Sequence, residues 1–316
     1  MNEKQLIDRF FKDIYVDKSV QIGIGDDAAI INPANHHQLV VSTDSMVVNR
    51  HFLSTSDPYF IGYKLMAVNL SDMAAMGAVP RWVTLNLTLP GIDESWLKAF
   101  AEGFGGCARQ SQVALIGGDL TSGKELNISA QILGEVPVGK AMLRSNAKVN
   151  DRIYVTGSIG SAGSALSVLN KKMGDHSQLS ALQMKALYQP ESRIKLGIEL
   201  RELANAAIDV SDGLLHDLEL LCDASQVGAQ LDVDQVPVDS DMEIFDAITA
   251  GDDYELIFTA AEKYADDIER VARAFSCPLT PIGIITSEAG HVRLHSAKQE
   301  ISPPALTGFD HFTQMS

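Results

Sequence analysis

Basic residues are scarce in this chain: 25 Lys and Arg face 41 Asp and Glu over 316 residues, a formal net charge of −16. A nucleic-acid partner is thereby excluded, because a polyanion is held by clustered Lys and Arg. Cysteine is equally sparse. Cys107, Cys222 and Cys277 form no CxxC pair and cannot all be paired, which points to a reducing, cytoplasmic compartment. No apolar run approaches the ~18 residues of a membrane-spanning helix. The opening Met1-Asn-Glu-Lys4 leads into an amphipathic pattern (Leu6, Ile7, Phe10, Phe11, Ile14) instead of a signal peptide. HExxH, a Cys/His ligand cluster and a GxSxG elbow are all missing, which sets aside zinc-protease and serine-hydrolase chemistry. There is no low-complexity segment and no fixed-period repeat.

What remains is an ordinary globular composition, 46% hydrophobic and 21% charged, long enough for one large or two medium domains. Ala28–Ile31 and Leu39–Ser42 read as strands, and a helix opens at Ser56-Asp-Pro58 and runs towards Ala75. That helix is apolar almost all round and is expected to be deeply buried. Arg81–Leu89, Val113–Ile116 and Leu126–Val136 read as strands, and Asp93–Gln110 as a helix. The order is mixed, which fits an α+β layer better than a doubly wound sheet. Periodicity breaks over Pro137–Asp151, so we divide the chain into domains 1–137 and 138–316. Beyond the break, strands begin at Asp151 and Ala207, and helices follow Gly163 and Gly213; the second domain reads as α/β.

Three glycine-rich stretches imitate nucleotide motifs. Gly118-Asp-Leu-Thr-Ser-Gly-Lys124 nearly spells a P-loop, but Glu125 stands where Ser or Thr should bind magnesium, and a strand-like alternation follows where a helix is required. Gly103-Phe-Gly-Gly106 ends a helix instead of following a strand. Gly157-Ser-Ile-Gly160-Ser-Ala-Gly163 has a strand–loop–helix context with the wrong glycine spacing. Its backbone N–H groups could face a phosphate, but tight strand-to-helix packing is the plainer reading.

A recurring acidic pattern carries more weight. Gly23-Ile-Gly-Asp26-Asp27 precedes the apolar Ala28–Ile31, and two carboxylates about 4 Å apart repel by roughly 4 kcal/mol at an effective dielectric near 20. Ser42-Thr-Asp44, Leu70-Ser-Asp72, Gly117-Gly-Asp119 and Asp209-Val-Ser-Asp212 repeat the pattern: a carboxylate beside a hydroxyl or glycine at the end of an apolar run. Such side chains are expected to converge on one sheet edge, where several cations must neutralise them. Oxygen donors alone suit Mg²⁺ bridging to a polyphosphate and disfavour zinc.

These motifs, in this order, resemble the thiamine-monophosphate kinase family within the wider superfamily of AIR-synthetase-like ATP enzymes. The resemblance runs through Gly23–Asp27, Ser42–Ser45, Val68–Gly77, Leu115–Asp119, Arg144-Ser145, Ile208–Gly213, Gly251-Asp-Asp-Tyr-Glu-Leu256 and Gly308-Phe-Asp-His-Phe312. It implies a two-domain AIR-synthetase-like fold and a homodimer in which the N-terminal domains share a β-barrel. It also implies ATP-dependent conversion of thiamine monophosphate to thiamine diphosphate, assisted by several Mg²⁺ ions. By matching position, Asp27, Ser42, Thr43, Asp44, Asp72, Asp119, Asp209 and Asp212 would hold magnesium. Gly118, Asp119, Arg144 and Ser211 would contact ATP, and His51, Asp252 and Phe309 the thiamine substrate. Asp44, Asp119, Arg144 and Asp212 would then be the catalytic centre. Asp252 stands where the family carries Glu, and Phe309 where a ring with a polar tip occurs. The rivals are a sister ATP enzyme and a non-catalytic Mg²⁺ or nucleotide-binding module. No Cys precedes Cys107 and the chain ends Phe312-Thr-Gln-Met-Ser316, which disfavours selenophosphate synthetase and the hydrogenase-maturation dehydratase respectively.

Overall fold

Asn2 and Gln5 start the first helix with a reciprocal capping box, each side chain accepting the other's backbone N–H at 2.9 Å. In this computed structural model, which describes residues 2–172, 174–238, 242–305 and 307–309, the chain divides into two compact units. The first contains Met1–Met73 and Ala78–Gly139, with Tyr188–Pro190; the second contains Ala74–Gly77, Lys140–Leu187 and Glu191–Ser316. Asp310, His311 and Phe312 of the closing motif lie outside the described residues.

The N-terminal unit comprises α1 (Glu3–Phe10), β1 (Val20–Ile22), β2 (Ile30–Ile31), β3 (His37–Val47), α2 (Pro58–Ala75), β4 (Val79–Leu89), α3 (Glu94–Gln110), β5 (Ala114–Ser122) and β6 (Asn127–Pro137). Its sheet runs β3-β6-β4-β5, antiparallel except for the β4–β5 pair. Alternation along β6 and β4 puts Ile128, Ala130, Ile132, Val83, Leu85 and Leu87 on one buried face. The other face carries Gln131, Ser129 and Asn86, and on β3 the exposed Leu39 and Val41. Part of that outer face is covered by the N-terminal segment, where Val20, Ala29 and Ile31 pack on Trp82, Ala114 and Ile116. As its apolar circumference requires, α2 is buried nearly throughout, Leu65, Met66, Leu70 and Met73 completely. It meets α3 backbone to backbone: a Cβ on Gly103 would strike the Tyr59 carbonyl. Gly103 of the Gly103-Phe-Gly-Gly106 stretch therefore belongs to a helix contact, and the stretch lies inside α3, not in the loop a dinucleotide site requires.

The C-terminal unit comprises β7 (Arg152–Thr156), α4 (Ser161–Lys171), α5 (Ala181–Tyr188), α6 (Ile194–Leu200), β8 (Ala206–Asp209), α7 (Leu214–Ser225), β9 (Gly228–Asp232), α8 (Ile244–Ala250), β10 (Leu256–Ala260), α9 (Ala265–Phe275), β11 (Leu279–Thr286), β12 (Val292–Ser296) and β13 (Gln299–Ile301). The seven-stranded sheet runs β13-β12-β9-β11-β7-β10-β8, and only β9–β12 is parallel. Helices cover both faces. Ile153, Val155, Ile208 and Ile257 pack with α7 through Leu214, Leu218 and Leu221. The intervening Tyr154, Ala207, Leu256 and Phe258 pack with Leu196 and Leu200 of α6 and Ile268 of α9. Buried on both faces, these strands lack polar alternation. The expected α+β class is what the sheet shows.

Candidate functional site

In the N-terminal unit the pleat separates residues that stand side by side in the sequence. Ser42 and Asp44 face α2, where the Ser42 hydroxyl donates to Asp72 Oδ2 at 2.5 Å. Thr43 turns to the outer face and accepts from Gln131 Nε2 at 3.3 Å. Asp119 lies on that outer face too, through the register Asp119–Asn86–Ser129–Ser45. β3 and β5 are the two edges of the sheet, roughly 14 Å apart at ~4.8 Å per strand spacing. The expected gathering of these carboxylates along one sheet edge is thus corrected. Ser42-Thr-Asp44 and Gly117-Gly-Asp119 lie within strands, not at their ends, and alternation splits them between two faces.

Asp27 and Asp119 do share a space. A cavity of about 830 Å³ is lined by Lys4 and Asp8 of the α1 segment, Gly25–Ala29, Thr84 and Gly117–Leu120. Gly118 sits there at φ 151°, and a Cβ would run into the Leu85 carbonyl, so the backbone can approach β4 only with glycine. The following segment forms a turn into β6, which confirms that Gly118–Lys124 is no P-loop. His51 lies in the turn after β3, and its Nδ1 accepts the Val47 N–H at 3.0 Å.

In the C-terminal unit the nominated residues do meet. Asp209 ends β8 and is buried, and Val210–Gly213 lead into α7. The Ser211 carbonyl accepts the Asp252 N–H at 2.8 Å, and the Asp212 carbonyl accepts the Phe309 N–H at 2.9 Å. Val210 and Tyr254 continue this ladder, Tyr254 N–H to Val210 O at 2.8 Å. Gly251, Asp252 and Tyr254 all have positive φ (72°, 67° and 54°), a concentration of backbone strain of the kind that surrounding structure must hold in place. The Arg144 carbonyl accepts from Ser225 Oγ at 2.6 Å, at the C-terminal end of α7, and the short turn Arg144–Asn146 also packs against β8, the strand that Asp209 ends.

Three buried acids escaped the sequence reading. Asp217 Oδ2 accepts the N–H groups of Ser211, Asp212 and Gly213 at 2.9, 3.1 and 3.2 Å. Burial, then the charge of Asp209, push its carboxyl up to about 7. Asp253 receives the Gly160 N–H on both oxygens, at 3.0 and 2.9 Å, and burial pushes it up to about 7. The glycine loop before α4 is therefore filled by the chain's own carboxylate and is no phosphate cradle. Glu255 pairs with Arg193 through two hydrogen bonds of 2.7 and 2.5 Å and accepts from the Thr156 hydroxyl. A first-turn acid is a readable signal for Asp217; Asp253 and Glu255 stand within the Gly251–Leu256 motif, but its spacing does not show that they are buried.

Among the described residues no three acidic, His or Cys side chains close into a ready-made metal cage. Mg²⁺ does not need one: it takes one or two carboxylates and completes its octahedron with water and substrate phosphate. Ser42 with Asp72, and Asp209 beside Asp217, offer oxygen only. Asn69, one helical turn before Asp72, adds a fully buried Oδ1 with no hydrogen-bond donor. The residues fit the ion.

A helix-backed four-stranded unit followed by a mainly antiparallel seven-stranded unit, each with oxygen-only acidic positions, defines an AIR-synthase type of protein. Residues 25–136 match the AIR synthase related protein N-terminal domain and residues 148–295 the C-terminal domain. Over 99% of both chains the sequence is 39% identical to the thiamine-monophosphate kinase of Haemophilus influenzae. The crystal structure of thiamine-monophosphate kinase from Stenotrophomonas maltophilia superposes with a TM-score of 0.85 at 38% identity, covering 95% of this chain and 98% of that one. AaThiL complexed with AMPPCP and TMP superposes with a TM-score of 0.77 at 25% identity over 99% of both chains. The chain belongs to the thiamine-monophosphate kinase family.

Proposed function

We propose that this chain transfers the γ-phosphoryl group of ATP to thiamine monophosphate, releasing thiamine diphosphate and ADP. The observation that carries the reading is the full-length likeness to thiamine-monophosphate kinases, together with the convergence of Asp209, Ser211, Asp212, Asp252 and Phe309 in the C-terminal unit. An oxygen of the acceptor phosphate attacks the γ-phosphorus in line, and the bond to the β–γ bridging oxygen breaks. The second pKa of a phosphate monoester is about 6, so the acceptor is already anionic and no general base is required. Bound Mg²⁺ supplies charge screening between the two phosphates.

Asp27, Ser42, Thr43, Asp44, Asp72 and Asp119 in the N-terminal unit, and Asp209 and Asp212 in the C-terminal unit, are the proposed metal ligands. Gly118, Asp119, Ser211 and Arg144 contact ATP, with Arg144 adding positive charge. His51, Asp252 and Phe309 contact the thiamine moiety, Phe309 by stacking. Asp44, Asp119, Arg144 and Asp212 form the catalytic set. The domains are 1–137, carrying dimerisation and metal binding, and 138–316. No helix among the described residues is long and apolar enough to cross a membrane, and a cytoplasmic homodimer is the proposed form.

Purified protein with ATP, Mg²⁺ and thiamine monophosphate is expected to yield thiamine diphosphate by chromatography. Asp44→Asn is expected to lower kcat by at least about a hundredfold. Absence of product from the wild type, with ADP formed only on another acceptor, would reassign the chain to a sister activity.

A further inference from the structure

Asp217 is 2% exposed in the first turn of α7, and the preceding Gly213 provides no side-chain cap for that helix. Three consecutive N–H groups, those of Ser211, Asp212 and Gly213, converge on its Oδ2. Consecutive N–H groups at a helix N-terminus make an anion nest. Here the occupant is the chain's own carboxylate, and the nest is closed to a ligand. The same three peptides carry the chemistry. Ser211 and Asp212 project from them, and their carbonyls hold the Asp252 and Phe309 backbones at 2.8 and 2.9 Å. The orientation of the peptide planes decides where all four side chains start.

We propose that Asp217 is a positioning residue for phosphoryl transfer: by clamping the Ser211–Gly213 backbone it sets the placement of Ser211 and Asp212 without touching nucleotide. The inference rests on the kinase reading and deepens it. A helix-stabilising role alone would lower stability and leave nucleotide handling intact; a clamp links the two selectively. Asp217→Asn keeps an oxygen acceptor of the same reach, whereas Asp217→Ala leaves three N–H groups without one. Leu221→Ala, one turn further along the same helix and fully buried, is the control that weakens α7 and leaves the clamp in place.

Each variant is to be measured for melting temperature, for kcat and KM with ATP, and for calorimetric affinity towards AMPPCP in Mg²⁺. Asp217→Ala is expected to lower kcat by on the order of a hundredfold and to weaken AMPPCP binding by about tenfold, as small misplacements of catalytic groups do. Asp217→Asn is expected to restore most of both. Leu221→Ala is expected to lower the melting temperature at least as much while AMPPCP affinity stays at the wild-type value. Should Asp217→Ala lose its cooperative transition, Asp217→Ser is judged by the same criteria. Wild-type kcat and affinity in the truncated variant, or an equal loss in Leu221→Ala, would overturn the proposal. A wild-type chain inactive on thiamine monophosphate would sink the kinase reading, while the AMPPCP comparison would still decide the role of Asp217.

Discussion

Asp253 and Asp252 are chain neighbours with opposite duties. Asp252 is half-buried, held at φ 67° with its N–H on the Ser211 carbonyl. Asp253 turns its carboxylate to Gly160, and burial first, with the charge of Asp252 adding to it, lifts its pKa to about 7. The unfolded value is about 4, so folding takes up a proton between those limits. Its stabilising contribution is therefore complete below about pH 4 and is lost as pH rises through about 7. Asp253→Asn cannot ionise. Melting curves at several pH values are expected to show the wild-type advantage over this variant shrinking between about pH 4 and about pH 8; a constant difference would show that Asp253 stays ionised throughout. Asp252, singled out by the family resemblance, has its backbone held by the Val210–Asp212 loop. That pairing spans about forty residues and has no local signature.

At the level of helices and strands, patterning was informative where one period governed a whole segment. The all-round apolar 58–75 helix, the Asp93-capped α3 and the Asp209-to-α7 transition are found where the residues place them. The short strands expected at 39–42 and 113–116 extend to His37–Val47 and Ala114–Ser122, because cross-strand pairing with β6 and β4 recruits polar residues that have no strand pattern of their own. Glycines of one motif can do different things. Gly103 and Gly106 sit in one helix and stand in one apparent motif, yet only Gly103 touches backbone, at Tyr59. Gly103→Ala is expected to cost about 1–3 kcal/mol by forcing α2 and α3 apart. At Gly106 the nearest atom is the Tyr59 hydroxyl at 3.8 Å, so Gly106→Ala is expected to be neutral or to stabilise by up to about 1 kcal/mol through helix propensity. Denaturant unfolding of the two variants checks both values; equal effects would refute the assigned contact.

For the molecule as a unit in solution, the outer face of the four-stranded sheet matters most. β3 is an edge strand, and its Leu39 and Val41 are 47% and 53% exposed. An unpaired edge with apolar neighbours is a template for association. Val41→Asp is expected to shift the protein from dimer to monomer in size-exclusion chromatography with light scattering, and a wild type that is monomeric at every concentration tested would remove the homodimer from the proposal. Family membership, the α+β class and the oxygen-only acidic positions were all contained in the order of residues, because each depends on composition, local periodicity or a motif a few residues long. Sheet register and packing were not. That Ser42 and Thr43 face opposite ways, that Asp27 shares a cavity with Asp119, and that Asp217 clamps the Ser211–Gly213 loop follow from pairings between distant segments. Those pairings are selected by burial and by the need of each buried N–H for an acceptor, and only the folded chain satisfies both at once.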